Sequence, residues 1–316
     1  MLCLFQLPCS ASTPIYSYKW HILFRCKWVP FLRTSTFHAP RNLCSTPQYP
    51  MKLKMIDSSG TKSAKGKKSL QPTFTVQGDT LQVYWHQYVV VITSICSFAA
   101  LFVRNIQATI ISISNHEYES FLVSFAFASQ VIAIHAAYLF MGYLVADFAS
   151  GLYHWFLDNY GNENTPIIGK QCVAFQGHHQ HPWTITWRPF CNLVGTSCLL
   201  SIPFLMVLLT IPLPSSLQTF LTSFGFFVVF AQQTHQWAHL SKPPRWIEML
   251  QQKNILLSTK QHGQHHKPPF NKKYCIVSGI CNDFLDNIQF YDKLERWVYI
   301  LWRWIPRHRM EADKAE

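Results

Sequence analysis

The stretch AFQGHHQHPWTIT, residues 174–186, is short and polar, and apolar blocks lie on both sides of it. Its adjacent histidines, His178 and His179, have company in the same half of the chain: His154, the pair His235 and His239, and the trio His262, His265 and His266. Neutral imidazole is the commonest protein ligand for iron, copper and zinc. Each group falls near the end of an apolar segment, so the pattern reads as one metal site at one face of a membrane helix bundle. The expected fold is all-α: a multi-span protein of about four transmembrane helices with a histidine-rich helical cap.

Composition supports that reading. Only 13% of the 316 residues are charged and 49% are hydrophobic, whereas a soluble domain carries about a quarter charged residues. The net charge of +12 invites a nucleic-acid partner, but 11 of the 27 Lys and Arg precede Gln87 and 13 follow Leu240. Positive charge at both ends of an apolar block fits membrane topology or an anionic lipid surface, and no nucleic acid is expected. The ten cysteines are scattered without a CxxC pair, which argues against a zinc ribbon or a disulfide framework.

Residues 1–80 hold two acids, Asp57 and Asp79, against eleven Lys and Arg, with a run SSGTKSAKGKKS at 58–69. A basic, Ser-rich, acid-poor segment has the composition of an organelle transit peptide and of a disordered tail. An untranslated extension with Met51 as the start is the other option. The membrane body is then expected over 81–316. Apolar runs follow at 88–103, 121–146, 193–211 and 217–231, the last two joined by a tight Pro212-Leu213-Pro214 turn. Four spans put both termini, residues 147–192 and every histidine group on the basic side, leaving 105–120 and the Pro212 turn opposite. Segments 246–257 and 293–305 mix Trp with basic residues and read as interfacial helices, or as helices packed on the cap.

The second run continues as ADFASGLYHWFLD, residues 146–158, where Asp147, Gly151, His154 and Asp158 share one helical face. His235 and His239 are one turn apart, and His262, His265 and His266 offer i, i+3 and i+4 spacing, so imidazoles on one face can grip one ion. Eight histidines exceed the four ligands of structural zinc; with one or two carboxylates they suit a pair of transition-metal ions, iron for oxygen chemistry. Asp158 or Asp147 is expected to ligate, or to orient a ligating imidazole through its second N–H. His135, in mid-span, and His21, His38, His86, His116 and His308 are left out, and His181 stands at the margin.

The motifs ADFASGLYHWFLDNYG (146–161), TPIIG (165–169), AFQGHHQHPWTIT (174–186), QQTHQWAH (232–239), QHGQHH (261–266) and YCIVSG (274–279) resemble the membrane lipid desaturase family that includes plasmanylethanolamine desaturases. Within it, the likeness is greatest to the plant plastid branch that places a trans double bond at carbon 3 of palmitate on phosphatidylglycerol. The resemblance implies iron-coordinating, catalytic roles for His154, His178, His179, His235, His239, His262, His265 and His266. It implies a matching acidic position at Asp158 and no ligand role for His181. It also implies two Fe ions, O2 as co-substrate, a chloroplast membrane location, and an outside electron donor such as ferredoxin. The chain departs from the family pattern around Trp187–Leu193, where Leu193 follows Asn192 in place of a second Asn. The alternatives are a di-iron lipid hydroxylase and a non-catalytic membrane metal-binding protein.

Overall fold

A computed structural model describes residues 71–115 and 120–312. The expected transit segment lies mostly outside them, as do His21, His38 and His116. Among the described residues the secondary structure is helical, without strands. Three helices are long and apolar enough to cross a membrane: α1 (Trp85–Ser114), α2 (Phe121–Asn159) and, after a short helix α3 (Gly169–His178) and a 3₁₀ turn (Pro182–Trp187), α4 (Phe190–Thr210). Their outward positions carry large apolar side chains such as Ile92, Ile106, Phe121, Phe125, Phe140, Leu199 and Met206, all exposed. A belt of this kind is what a bilayer buries. The inward side packs Phe98 and Leu101 of α1 against Val194, Cys198, Leu205 and Leu208 of α4.

The fourth expected span is α5 (Ser215–His239), a 25-residue helix packed against α1, α2 and α4. It is long enough to cross, but it falls outside the apolar class of the other three. Its polar residues point into the bundle, where they are satisfied: Gln218 donates to the Leu208 carbonyl at 3.2 Å and Ser223 to the Leu139 carbonyl at 2.7 Å. At the crossing with α2, Gly142 has no side chain to spare; a Cβ there would lie 2.5 Å from the Phe220 carbonyl oxygen.

Two boundaries differ from the sequence expectation. The first span does not stop at Val103, because α1 runs on to Ser114. Arg104 turns back to donate to the Leu208 and Leu209 carbonyls at the end of α4, and Asn105 is buried with its amide donating to Thr222. Polar residues that suggested a loop are thus paired inside the bundle. Residues 71–80, grouped with the tail by composition, lie on the body, with Thr73 and Thr184 exchanging two hydrogen bonds and Trp183 donating to the Gln71 carbonyl.

The cap is built from short helices: α6 (Arg245–Gln252), α7 (Thr259–His265), α8 (Ile280–Asn287), α9 (Phe290–Trp302) and α10 (Arg307–Ala312). Both segments expected to lie at an interface are helical and two-faced. Ile247 of α6 and Tyr291 of α9 are buried, while Trp246, Met249, Trp297, Leu301 and Trp302 are exposed. The six cysteines among the described residues are free.

Candidate metal centre

Four segments converge at the cap end of the bundle. The last turns of α2 bring His154 and Asp158, the end of α3 brings His178 and His179, the end of α5 brings His235 and His239, and α7 brings His262, His265 and His266. They sort into two groups in which one ligand atom per residue lies within 4.8 Å of all the others: His178, His235, His239, His262 and His266 in one, and His154, Asp158, His179 and His265 in the other. Sequence neighbours are divided between them. His178 and His179 turn to different groups, and so do His265 and His266. The groups abut, with the His179 and His266 rings 4.9 Å apart and those of His154 and His235 5.6 Å apart.

In the group of four, the Nε2 atoms of His179, His154 and His265 lie 3.1, 3.3 and 3.3 Å from one Asp158 oxygen. The far nitrogens of two of these rings are fixed: His154 Nδ1 donates to the Tyr274 carbonyl at 2.9 Å and His265 Nδ1 to the Lys272 carbonyl at 2.8 Å. That selects the tautomer whose Nε2 lone pair faces the centre. In the group of five, Nε2 atoms face one another: His178 to His239 at 2.9 Å, His239 to His262 at 2.8 Å, His235 to His239 at 3.2 Å and His262 to His266 at 3.1 Å. Burial and the neighbouring imidazoles hold His178, His262 and His266 below the usual imidazole range, so these rings are neutral at physiological pH and present lone pairs.

Nitrogens meeting this way cannot all satisfy one another, since each Nε2 of a neutral ring carries either a proton or a lone pair and His239 Nε2 alone meets three others. His154 Nε2 and His265 Nε2 are buried without a hydrogen bond to another group of the protein, as is Asp158 Oδ1. Two sets of convergent donors, neutral imidazole nitrogens and the Asp158 carboxylate, are compatible with two adjacent transition-metal ions.

Asp147 shares the helical face of His154 but lies outside both groups. One carboxylate oxygen accepts from the backbone N–H of Ser278 and Gly279 at 2.8 and 2.9 Å, and the other from Cys281 N–H at 3.0 Å. It caps α8 and pins the 274–279 loop, where Gly279 turns with φ +75°. That loop supplies the Tyr274 carbonyl under His154, and it passes so near α2 that a Cβ on Gly151 would lie 2.5 Å from both Cys275 Sγ and Tyr291 Oη. His181 is also outside both groups and rests edge-on against Trp183. His135 bonds its own helix at the Val131 carbonyl.

His308, set aside as terminal, is buried behind the group of four. Its Nδ1 lies 2.8 Å from Asn159 Oδ1, and Asn159 donates to Tyr274 Oη and to the Trp155 carbonyl. Nothing in the spacing of a lone His near a basic terminus distinguishes it. A cleft of about 110 Å³, lined by Asp158, His179, Arg307 and His308 among others, reaches this group. A larger cavity of about 530 Å³ reaches His178 and His235 of the other group.

A membrane-type helix bundle carrying a paired histidine centre at one end defines a narrow class of protein. A lipid desaturase domain matches residues 143–309, just over half of the chain, and the chain belongs to that family. Fatty acid desaturase 4, chloroplastic, of Arabidopsis thaliana is 42% identical over 181 residues, 55% of this chain and 54% of that protein. Its relative fatty acid desaturase 4-like 1, chloroplastic, is 39% identical over 185 residues, covering 55% and 62%. The plasmanylethanolamine desaturase of Myxococcus xanthus is 34% identical over 172 residues, covering 53% and 61%. The chain thus spans little more than half the length of these relatives. No solved structure matches it.

Proposed function

We propose that this protein is a membrane fatty-acyl lipid desaturase, an oxidoreductase that uses O2 and a di-iron centre. The observation that carries this reading is the division of eight histidines and Asp158 into two adjacent donor groups, one of which opens on the large cavity. Two iron ions held by these residues would supply the O2-dependent removal of hydrogen from adjacent methylenes. The chain's part is positional. The neutral imidazoles hold their lone pairs inward, the Tyr274 and Lys272 carbonyls fix two of the rings, and Asp158 supplies a single negative charge among them.

The substrate in this reading is a phospholipid-borne acyl chain, palmitate on phosphatidylglycerol in a chloroplast membrane, desaturated in trans near its carboxyl end. Three features support it: the likeness to plant desaturases whose names place them in chloroplasts, a cavity at the cap end of the bundle, and the cations Arg188 and Lys170 lining that cavity. The electron donor is an acidic carrier of the ferredoxin kind, suited to a cap in which Lys242, Arg245, Lys253, Lys260, Lys267 and Lys272 are exposed.

The test is expression in a host with plastid-type phosphatidylglycerol and ferredoxin. A new monounsaturated palmitate-derived chain in that lipid class is expected, with two irons per chain after anaerobic purification. Iron below about one per chain would reject the paired centre. A hydroxylated product in place of an olefin would move the protein to the hydroxylases.

A further inference from the structure

The lipid desaturase domain begins at residue 143, yet the large cavity beside the candidate centre is completed from outside it. Residues 73–79 line that cavity together with His178 and His235. They are fastened along their length. Beyond the Thr73–Thr184 pair, Thr75 donates to the Val173 carbonyl at 3.3 Å, and the segment runs so close over α3 that a Cβ on Gly177 would fall 2.2 Å from Thr75 Oγ1. At the far end Asp79 pairs with Arg188, whose guanidinium lies 5.6 Å over the Phe74 ring. Asn192 then ties the next residues down through the Thr80 and Gln82 carbonyls.

The lining divides by chemistry. Phe74, Val76, Phe175 and Leu193 give the lining apolar side chains, and Asp79 and Arg188 give it a charged pair. Arg188 uses one N–H on Asn192 Oδ1 at 2.8 Å and one on Asp79, out of the five a guanidinium owns. The others have no hydrogen-bond partner among the described residues and suit a planar or tetrahedral oxyanion.

On the desaturase reading above, we propose that residues 73–79 are the specificity wall of the acyl-lipid cavity, with Arg188 at its charged end binding the phosphate of an anionic phospholipid and Asp79 opposing it. An upstream segment set against a shared domain gives a family one chemistry with separately adjustable substrate choice. It also gives the Trp187–Leu193 departure a place: Arg188, Asn192 and Leu193 all border this cavity.

Photo-labelling decides it without turnover. The full chain in nanodiscs is exposed to phosphatidylglycerol or diacylglycerol, each with a diazirine near the carboxyl end of one acyl chain, and adducts are mapped by peptide mass spectrometry. Adducts on the 73–79 peptide are expected. Arg188→Gln should lower labelling by phosphatidylglycerol roughly tenfold and leave diacylglycerol, which has no phosphate, unchanged, Arg188→Lys should recover part of the loss, and Asp79→Asn should favour phosphatidylglycerol further. An unlabelled 73–79 peptide, or an equal fall for both lipids in Arg188→Gln, overturns the proposal. A chain that labels in this way but desaturates no lipid would retain the wall and refute the enzyme reading instead.

Discussion

The two donor groups sit side by side and are held by different means. The group of four is framed: Asp158 brings a charge, and backbone carbonyls lock His154 and His265 from behind. The group of five has no carboxylate; its rings meet nitrogen to nitrogen, and His262 Nδ1 and His266 Nδ1 are buried without a hydrogen bond to another group of the protein. The framed group faces a small polar cleft and the all-imidazole group faces the large cavity. On the proposed reading, a charged position beside an all-imidazole one would give two metals unequal settings, with the second nearer the proposed substrate.

The sharpest way to break this comparison uses neighbours on α7. His262→Ala and His265→Ala remove ligands three residues apart that belong to different groups. Each should cut desaturation more than about a hundredfold, and metal analysis of each should find one iron retained. Loss of both irons from either variant would show a single inseparable cluster. Asp158→Asn keeps the shape and removes the charge. A fall of roughly 10- to 100-fold in product is expected, with iron lost from the framed group alone; full iron occupancy would demote Asp158 to a neighbour of the ligands.

Asp147→Asn tests the same helix face away from the metal. Weakening the acceptor of three buried backbone N–H groups should cost about 1–3 kcal/mol of stability, read as a lower melting temperature, with iron at wild-type stoichiometry. Iron loss at unchanged stability would reinstate Asp147 as a ligand. The smallest effect belongs to His181→Ala, in which iron content should not change; a loss of iron would place His181 in the all-imidazole group.

Much of this was legible because ligand chemistry is local. HHxH, HxxxH and HxxHH each mark a helix end, and the apolar runs beside them mark where those ends gather. How adjacent residues divide was not legible. His178 and His179 differ by about 100° around the end of α3, and only the positions of α5 and α7 decide which centre each meets. The two carboxylates on one face of α2 illustrate the same limit: Asp147 and Asp158 look equivalent by spacing, but Asp147 is taken by the backbone of a loop 130 residues further on. Polar residues misled for a related reason. Asn105 and Arg104 resemble loop residues until their partners on α4 and α5 are known, and residues 71–80 resemble a tail until the cavity they border is formed.

The length of α2 carries a last consequence. At 39 residues without interruption it extends about 58 Å, nearly twice the roughly 30 Å of a bilayer's hydrocarbon. Its first half bears exposed Phe121, Leu122, Phe125 and Ile132, and its second half carries buried His154 and Asp158. The helix therefore holds the candidate ligands at a fixed distance from its apolar half, set by a rise of about 1.5 Å per residue. One residue gained or lost in its middle would turn His154 and Asp158 by about 100° against their partners. Substitution at its exposed apolar positions is cheap, whereas a change in its count is not.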